Sequence, residues 1–332
     1  MARPELLFDR APRCGGAVPF ALDPQVATGL LALLGDGPPP VPPPAGDVFT
    51  RRQNAAVTFA VFADLQPAPS GVAVTHLTVT ADDGAQLDAR WYAREAGGAS
   101  GPAVLYLHGG GMIAGDLKGY DPIIARYVAA SGVPMLAVEY RLAPEFPDPV
   151  PVRDCFAALR HLAEHADELG VDRSRIAVMG DSAGGGLAAG VALLARDENG
   201  PALSRQILVY PMLDDTNVTP DPQLVPFLTW SYDDNVTGWG ALLGEAPQQV
   251  SPYAAPTRAT DLTGLPPAYL DVGELDIFRD EDLEYARRLT DAGVPTEFHL
   301  HPGAPHGFEA FAPGADVAQR AIADRLRVLR SL

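Results

Sequence analysis

Two glycine-rich segments carry the residues best suited to chemistry. Gly180-Asp181-Ser182-Ala183-Gly184, continued by Gly185 and Gly186, has the form G-x-S-x-G. Small residues around a serine permit a sharp, strained turn from a strand into a helix, with the hydroxyl exposed at the bend. The pentapeptide alone is a weak signal. Its context strengthens it: the apolar strand pattern Arg175–Met179 precedes it and a helical pattern, Ser182–Arg196, runs on from it. The second segment, His108-Gly109-Gly110-Gly111, directly follows the apolar run Ala103–Leu107. Three glycines let the backbone approach a ligand and aim N–H groups at it, as the negative oxygen of a tetrahedral acyl intermediate requires. A phosphate cradle is the competing reading, but the segment lacks a P-loop lysine and the G-x-G-x-x-G form.

The elements that must position these residues begin near Val72. Val72–Val79 and Gln86–Ala93 alternate in character about an Asp82-Asp83-Gly84 turn and predict a hairpin. From there short apolar strands alternate with helical stretches. The strands are Ala103–Leu107, Pro134–Glu139, Arg175–Met179, Gln206–Tyr210, Pro267–Asp271 and Thr296–Leu300. The helices are Gly119–Ala130, Val152–Leu169, Ser182–Arg196, Arg279–Ala292 and Val317–Leu329. This rhythm predicts an α/β fold: a mostly parallel sheet of about eight strands with helices on both faces. About fifty residues separate the strand ending at Tyr210 from the one near Pro267, far more than a usual connection, and they predict an inserted segment over 212–250. Ser231–Gly244 within it reads as a helix carrying Tyr232, Trp239 and Leu242. The first seventy residues hold helical patterns at Asp23–Leu34 and Asn54–Leu65 around the stiff proline run Pro38–Pro44, too little for a domain of their own.

A serine nucleophile on such a sheet needs an acid and then a histidine later in the chain. The acid belongs in the loop after Pro267–Asp271, where Glu274, Asp276, Asp280 and Glu281 compete, the last two also suiting the dipole at the start of the next helix. Among seven histidines, His161 and His165 form a surface helix pair and His76 lies in the hairpin. His299 and His301 share one face of a strand, a weak hint of metal, but no third ligand is apparent and no metal or cofactor is expected. His306, in the loop after the last strand, stands where a base belongs.

Taken together, His108–Gly111, Glu139-Tyr140-Arg141-Leu142-Ala143-Pro144-Glu145, Gly180–Gly185, the acidic segment Gly273–Glu281 and His306-Gly307-Phe308 resemble the hormone-sensitive-lipase family (bacterial family IV) of α/β-hydrolase carboxylesterases, in that family's order. The resemblance covers 72–330. It implies a triad of Ser182, Asp276 and His306, although Ile277-Phe278 replaces the Pro-Leu that commonly follows the acid. It also implies an oxyanion hole from the N–H groups of Gly110, Gly111 and Ala183, with Gly109 and Gly110 as the alternative glycine pair. Residues 1–70 and 212–250 then correspond to a helical cap over a catalytic domain of 71–211 and 251–332, with Met112, Trp230 and Trp239 as candidate pocket residues. Short- to medium-chain acyl esters are the implied small-molecule substrates. The same triad would serve an amidase, a lactonase or a natural-product deacetylase, whereas a catalytically silent receptor is disfavoured because serine, acid and histidine are all present. Relatives of this kind are often dimers, so a homodimer is the expectation. Arg141 and Asp154 are expected to brace each other.

Composition narrows the classes further. The 332 residues are 47% hydrophobic, enough for a sizeable core, and 42 acids against 24 bases give a formal net charge of −18. That charge argues against nucleic acid or an anionic membrane as partner. Two cysteines, Cys14 and Cys155, give neither a disulfide framework nor a metal spacing. With no apolar run of spanning length and no leader pattern, the expectation is a cytoplasmic protein without a membrane span.

Overall fold

The computed structural model describes residues 20–35, 41–95, 100–244 and 249–332. Cys14 and part of the proline run lie outside the described residues. Eight strands form one sheet: β1 (Val72–Thr80), β2 (Gln86–Arg94), β3 (Gly101–Leu107), β4 (Met135–Val138), β5 (Val171–Asp181), β6 (Arg205–Val209), β7 (Ala268–Gly273) and β8 (Thr296–His301). Their order is β1-β2-β4-β3-β5-β6-β7-β8. The β1–β2 and β2–β4 pairs are antiparallel and every later pair is parallel. The opening hairpin and the mostly parallel sheet of eight strands expected from the sequence are therefore what the chain forms. The inner stretches of β3 to β6, Ala103–Leu107, Met135–Val138, Ile176–Met179 and Ile207–Val209, are apolar and buried because helices cover both faces of the sheet there.

The helices are α1 (Pro24–Leu34), α2 (Val48–Leu65), α3 (Leu117–Ser131), α4 (Val150–Glu164), α5 (Ala166–Leu169), α6 (Ala183–Asp197), α7 (Tyr232–Leu243), α8 (Arg279–Asp291), α9 (Phe308–Phe311) and α10 (Asp316–Arg330). α3 and α10 pack together as one layer, and α4 and α6 as another. α3 starts where the Asp116 carboxylate accepts the Gly119 N–H at 2.6 Å and stops at Gly132 in the left-handed conformation, so both ends are written locally. α6 is buried from Ala183 to Ala195, and its small residues permit very close packing. A Cβ on Gly190 would lie 2.2 Å from the Tyr253 carbonyl oxygen.

Outside the sheet layers, α1, α2 and α7 come from the N-terminal residues and the long insertion. Arg51 of α2 is buried and joins these segments: it donates to Asp234 of α7 at 2.7 Å and to the carbonyls of Pro43 and Pro44. Gly46 N–H donates to Thr237 Oγ1 at 2.8 Å. These bonds explain why α2 begins at Val48 rather than near Asn54, since Asp47 caps it and Arg51 must sit on its first turn. The four-residue helix α9 has no counterpart in the sequence reading. Among the described residues no helix is long and apolar enough to cross a membrane.

The loop after β4 is fixed by a buried carboxylate. Asp154 of α4 is fully buried and accepts three bonds from Arg141, from its backbone N–H at 3.0 Å, its Nε at 2.8 Å and its Nη2 at 2.7 Å. Removing the carboxylate leaves the Arg141 guanidinium with Asp83 alone and strands the Arg141 amide next to the core. Asp154→Ala should therefore lower unfolding free energy by about 3 kcal/mol in urea titration, whereas an unchanged midpoint would show the pair to be idle.

Candidate functional site

The site lies at the carboxyl ends of the parallel strands, and its centre is Ser182. The serine adopts φ 55° and ψ −121°, a left-handed conformation unusual for a residue with a side chain. Its neighbours make the bend possible. Added Cβ atoms on Gly180 and Gly184 would lie 2.1 Å from the carbonyl oxygens of Gly184 and Leu107 respectively. Backbone bonds then lock the turn: Ser182 N–H donates to Val209 O at 2.9 Å, and Ser182 O accepts from Gly186 and Met212 at 3.0 and 2.9 Å.

Beside the serine lies the imidazole of His306, which enters from the loop between β8 and α9. Its Nε2 is 3.0 Å from Ser182 Oγ and its Nδ1 is 2.7 Å from Asp276 Oδ2. Asp276, buried after β7, accepts the Phe278 N–H on its other oxygen at 3.0 Å. With Nδ1–H given to the carboxylate, Nε2 is left as an acceptor facing the hydroxyl. Burial opposes charge on the ring, but the charge and hydrogen bond of Asp276, joined by Glu309 and Asp181, outweigh it and hold the His306 pKa above the ordinary histidine value.

The other candidate acids stand elsewhere. Glu274 accepts the Gly303 N–H at 3.0 Å, and Asp280 pairs with Arg279 at the surface. Glu281 stands in the first turn of α8, as expected, and has a second engagement that the sequence does not give. It is buried and accepts the N–H groups of Leu213 and Asp214 and the amide of Asn217, tying down the segment after β6. Side-chain direction, which the sequence alone does not give, decides this: the third residue of α8 points inward.

The glycine loop after β3 is held from below. His108 is buried and stacks on Tyr140 with ring centroids 4.2 Å apart. Burial brings its pKa down to about 4, so the ring stays neutral, with Nδ1 2.8 Å from Gly109 O. Gly109 N–H donates to the Tyr120 hydroxyl at 3.0 Å, and that hydroxyl donates to Asp181 Oδ2 at 2.7 Å. Tyr106 donates to the other oxygen of Asp181 at 2.8 Å. Gly109 is thus committed, while the N–H groups of Gly110 and Gly111 have no acceptor among the described residues. Ala183 N–H opens α6, where no intrahelical acceptor exists. Gly115 also matters here, since a Cβ on it would lie 2.5 Å from Gly109 O; sequence reading missed it because nothing local marks a contact across the loop.

The long insertion reaches both the His306 loop and the glycine loop. Thr229 Oγ1 donates to His306 O at 2.6 Å, and the Trp230 indole covers Gly111, where an added Cβ would come 2.4 Å from its Cη2. A cavity of about 1130 Å³, mainly apolar in its walls, runs from Ser182 and His306 between α2, α3 and α10 and includes Trp230, Phe59 and Phe62. Two expected pocket residues do not line it. Met112, at φ 62°, is fully buried and turns its terminal carbon toward Gly186, and Trp239 is buried on α7. His299 lies with Glu297 and Asp324 rather than with His301 as the group closest to a ligand set, and Arg327 pairs with that same Glu297.

The family comparison decides the class. The model of a family described as alpha/beta hydrolase fold matches residues 104–310, which hold Ser182, Asp276, His306 and the glycine loop. The chain belongs to the hormone-sensitive-lipase family of α/β hydrolases. This hydrolase is 38% identical to an esterase, LipI, of Mycobacterium tuberculosis (strain ATCC 25618 / H37Rv), over 70% of its own chain and 73% of that protein. It is 33% identical to an ethyl acetate hydrolase of Pseudomonas putida, over 71% and 75% of the two chains. Among solved structures, the hydrolase resembles a bacterial heroin esterase with a TM-score of 0.83 and 39% identity, covering 94% of its own chain and 98% of the other. It also resembles the esterase LipW from Mycobacterium marinum, with a TM-score of 0.81 at 33% identity over 95% and 96%.

The Tyr120 hydroxyl is the joint between the glycine loop and the serine turn. Tyr120→Phe should lower stability by about 1–3 kcal/mol, because it leaves the buried Gly109 N–H unpartnered and removes one donor from Asp181. Equal unfolding midpoints for variant and wild type would contradict that role.

Proposed function

We propose that this carboxylic ester hydrolase acts through an acyl-enzyme on Ser182, with His306 as base and Asp276 as the group that orients and stabilises the imidazole. The observation that carries the reading is the pair of bonds on His306, 3.0 Å to the serine hydroxyl and 2.7 Å to the carboxylate. His306 takes the hydroxyl proton as Ser182 Oγ bonds to the ester carbonyl carbon, and the carbonyl oxygen becomes an oxyanion. The N–H groups of Gly110, Gly111 and Ala183 stabilise that oxyanion. The commitment of Gly109 to Tyr120 favours this set over one using Gly109. His306 then protonates the departing alkoxide and the alcohol leaves. Water, deprotonated by the same ring, attacks the acyl-enzyme and regenerates the serine. No step requires a cofactor.

Residues 1–70 and 212–250 act in this reading as two parts of one cap, linked among the described residues by Arg51 and Asp234. The cavity beneath them supports short- to medium-chain acyl esters as substrates, since apolar surface predominates in its described walls.

Ser182→Ala should lower kcat by roughly 10⁵–10⁶-fold with the fold intact, leaving only binding and oxyanion contributions. Wild-type activity in a clean preparation would overturn the assignment. Across p-nitrophenyl esters of increasing acyl length, kcat/KM should peak among short to medium chains, and a flat series would deny a shaped pocket.

A further inference from the structure

Besides Ser182 and Asp276, a third polar system reaches His306. The ring of Tyr210 packs edge-on against the imidazole, with centroids 4.7 Å apart. Tyr210 follows β6 with φ 33°, a conformation a tyrosine adopts only when its surroundings impose it. Two contacts do so: its N–H donates to Asp271 O at 2.7 Å, and its hydroxyl donates to Glu309 Oε1 at 2.8 Å. Glu309 stands three residues after His306, so the loop that carries the imidazole also carries the acceptor for the aromatic ring packed against it.

Charge in this cluster does not cancel. Arg325 of α10 is fully buried and binds Asp271 through two bonds of 2.7 and 2.8 Å, and it also pairs with Glu309 Oε1. Two carboxylates therefore share one guanidinium; His301 at the end of β8, whose pKa burial lowers, and Tyr127 of α3, whose hydroxyl lies 3.4 Å from Arg325 Nη1, also face the cluster, so the formal charges of the carboxylates and guanidinium leave one negative charge over. Glu309 Oε2 is buried with no hydrogen-bond partner among the described residues. The other charged or titratable groups facing His306 are Asp276 after β7 and Asp181 at the end of β5, the latter held by Tyr106 and Tyr120. Phe278 and Trp230 complete the aromatic surroundings without charge.

We propose that Glu309 is a positioning residue for the base: through Tyr210 it fixes the edge of the imidazole, and its excess charge favours the imidazolium that forms when His306 receives the Ser182 proton. The proposal rests on the Ser182–His306 reading above. Of the two carboxylates that share Arg325, Glu309 is the one carried by the His306 loop itself, whereas Asp271 is held bidentately by Arg325 and by the Tyr269 hydroxyl at 2.8 Å.

Two variants separate its parts. Glu309→Gln removes the charge and keeps an acceptor for Tyr210, and Tyr210→Phe removes the hydrogen bond and keeps the charge. The His306 ring would be followed by NMR in protein labelled with ¹⁵N-histidine, assigned with His306→Asn, beside the pH dependence of kcat/KM on p-nitrophenyl butyrate. In Glu309→Gln both the ring titration and the acid limb should move to lower pH by about half a unit to one unit, while Tyr210→Phe leaves the titration within about 0.2 units and lowers kcat several-fold. An unmoved ring in folded Glu309→Gln, or an equal displacement in Tyr210→Phe, would overturn the proposal. If Glu309→Gln fails to fold, the wild-type ring still decides, because titration at or below the ordinary histidine value contradicts surplus negative charge beside it. A wild-type acid limb that does not follow the ring titration would instead indict His306 as base, so the two failures are distinguishable.

Discussion

One imidazole holding two hydrogen bonds at once is the constraint around which this molecule is arranged. Its partners come from the turn after β5 and the loop after β7, so three strand ends must agree within a fraction of an ångström. Such agreement is affordable only on a rigid frame. The parallel strands β3 to β8 supply it, and the close glycine contacts at 180 and 184 let the serine turn seat itself against the end of β3. The strain of a serine at φ 55° is sustained by the backbone bonds to Val209, Gly186 and Met212.

Behind this first layer stands a set of buried groups whose work is to hold other groups in place. Tyr120 links Gly109 to Asp181, Asp154 pins the loop after β4, and Glu281 ties the segment after β6 to α8. Each is a polar or charged side chain engaged with a backbone N–H group and a second polar side chain, the condition under which burial of such a group is tolerated. The Asp271–Arg325–Glu309 cluster differs because two carboxylates share one guanidinium there, and through Tyr210 it adjoins the His306 imidazole.

Much of this was legible in the sequence. The alternation of strands and helices located all eight strands, and the two glycine motifs located the serine turn and its facing loop. What remained hidden has physical reasons. α2 starts six residues before its apolar pattern because Arg51 is fixed by partners distant in sequence, and α9 is too short for periodicity to register. The inward bonds of Glu281 and the burial of Trp239 were not legible because spacing gives neighbours along a helix but not what the helix packs against. The positive φ of Met112, a residue with no glycine-like feature, turned an expected pocket residue into the core.

The central claim is that the hydroxyl at 182 is the nucleophile activated by the ring at 306. Treatment with a fluorophosphonate followed by peptide mass spectrometry tests it most directly. The account predicts a single phosphonyl group on Ser182, acquired at a rate that collapses in His306→Asn. Phosphonylation at another residue, or full hydrolytic activity in protein already labelled at Ser182, would contradict it.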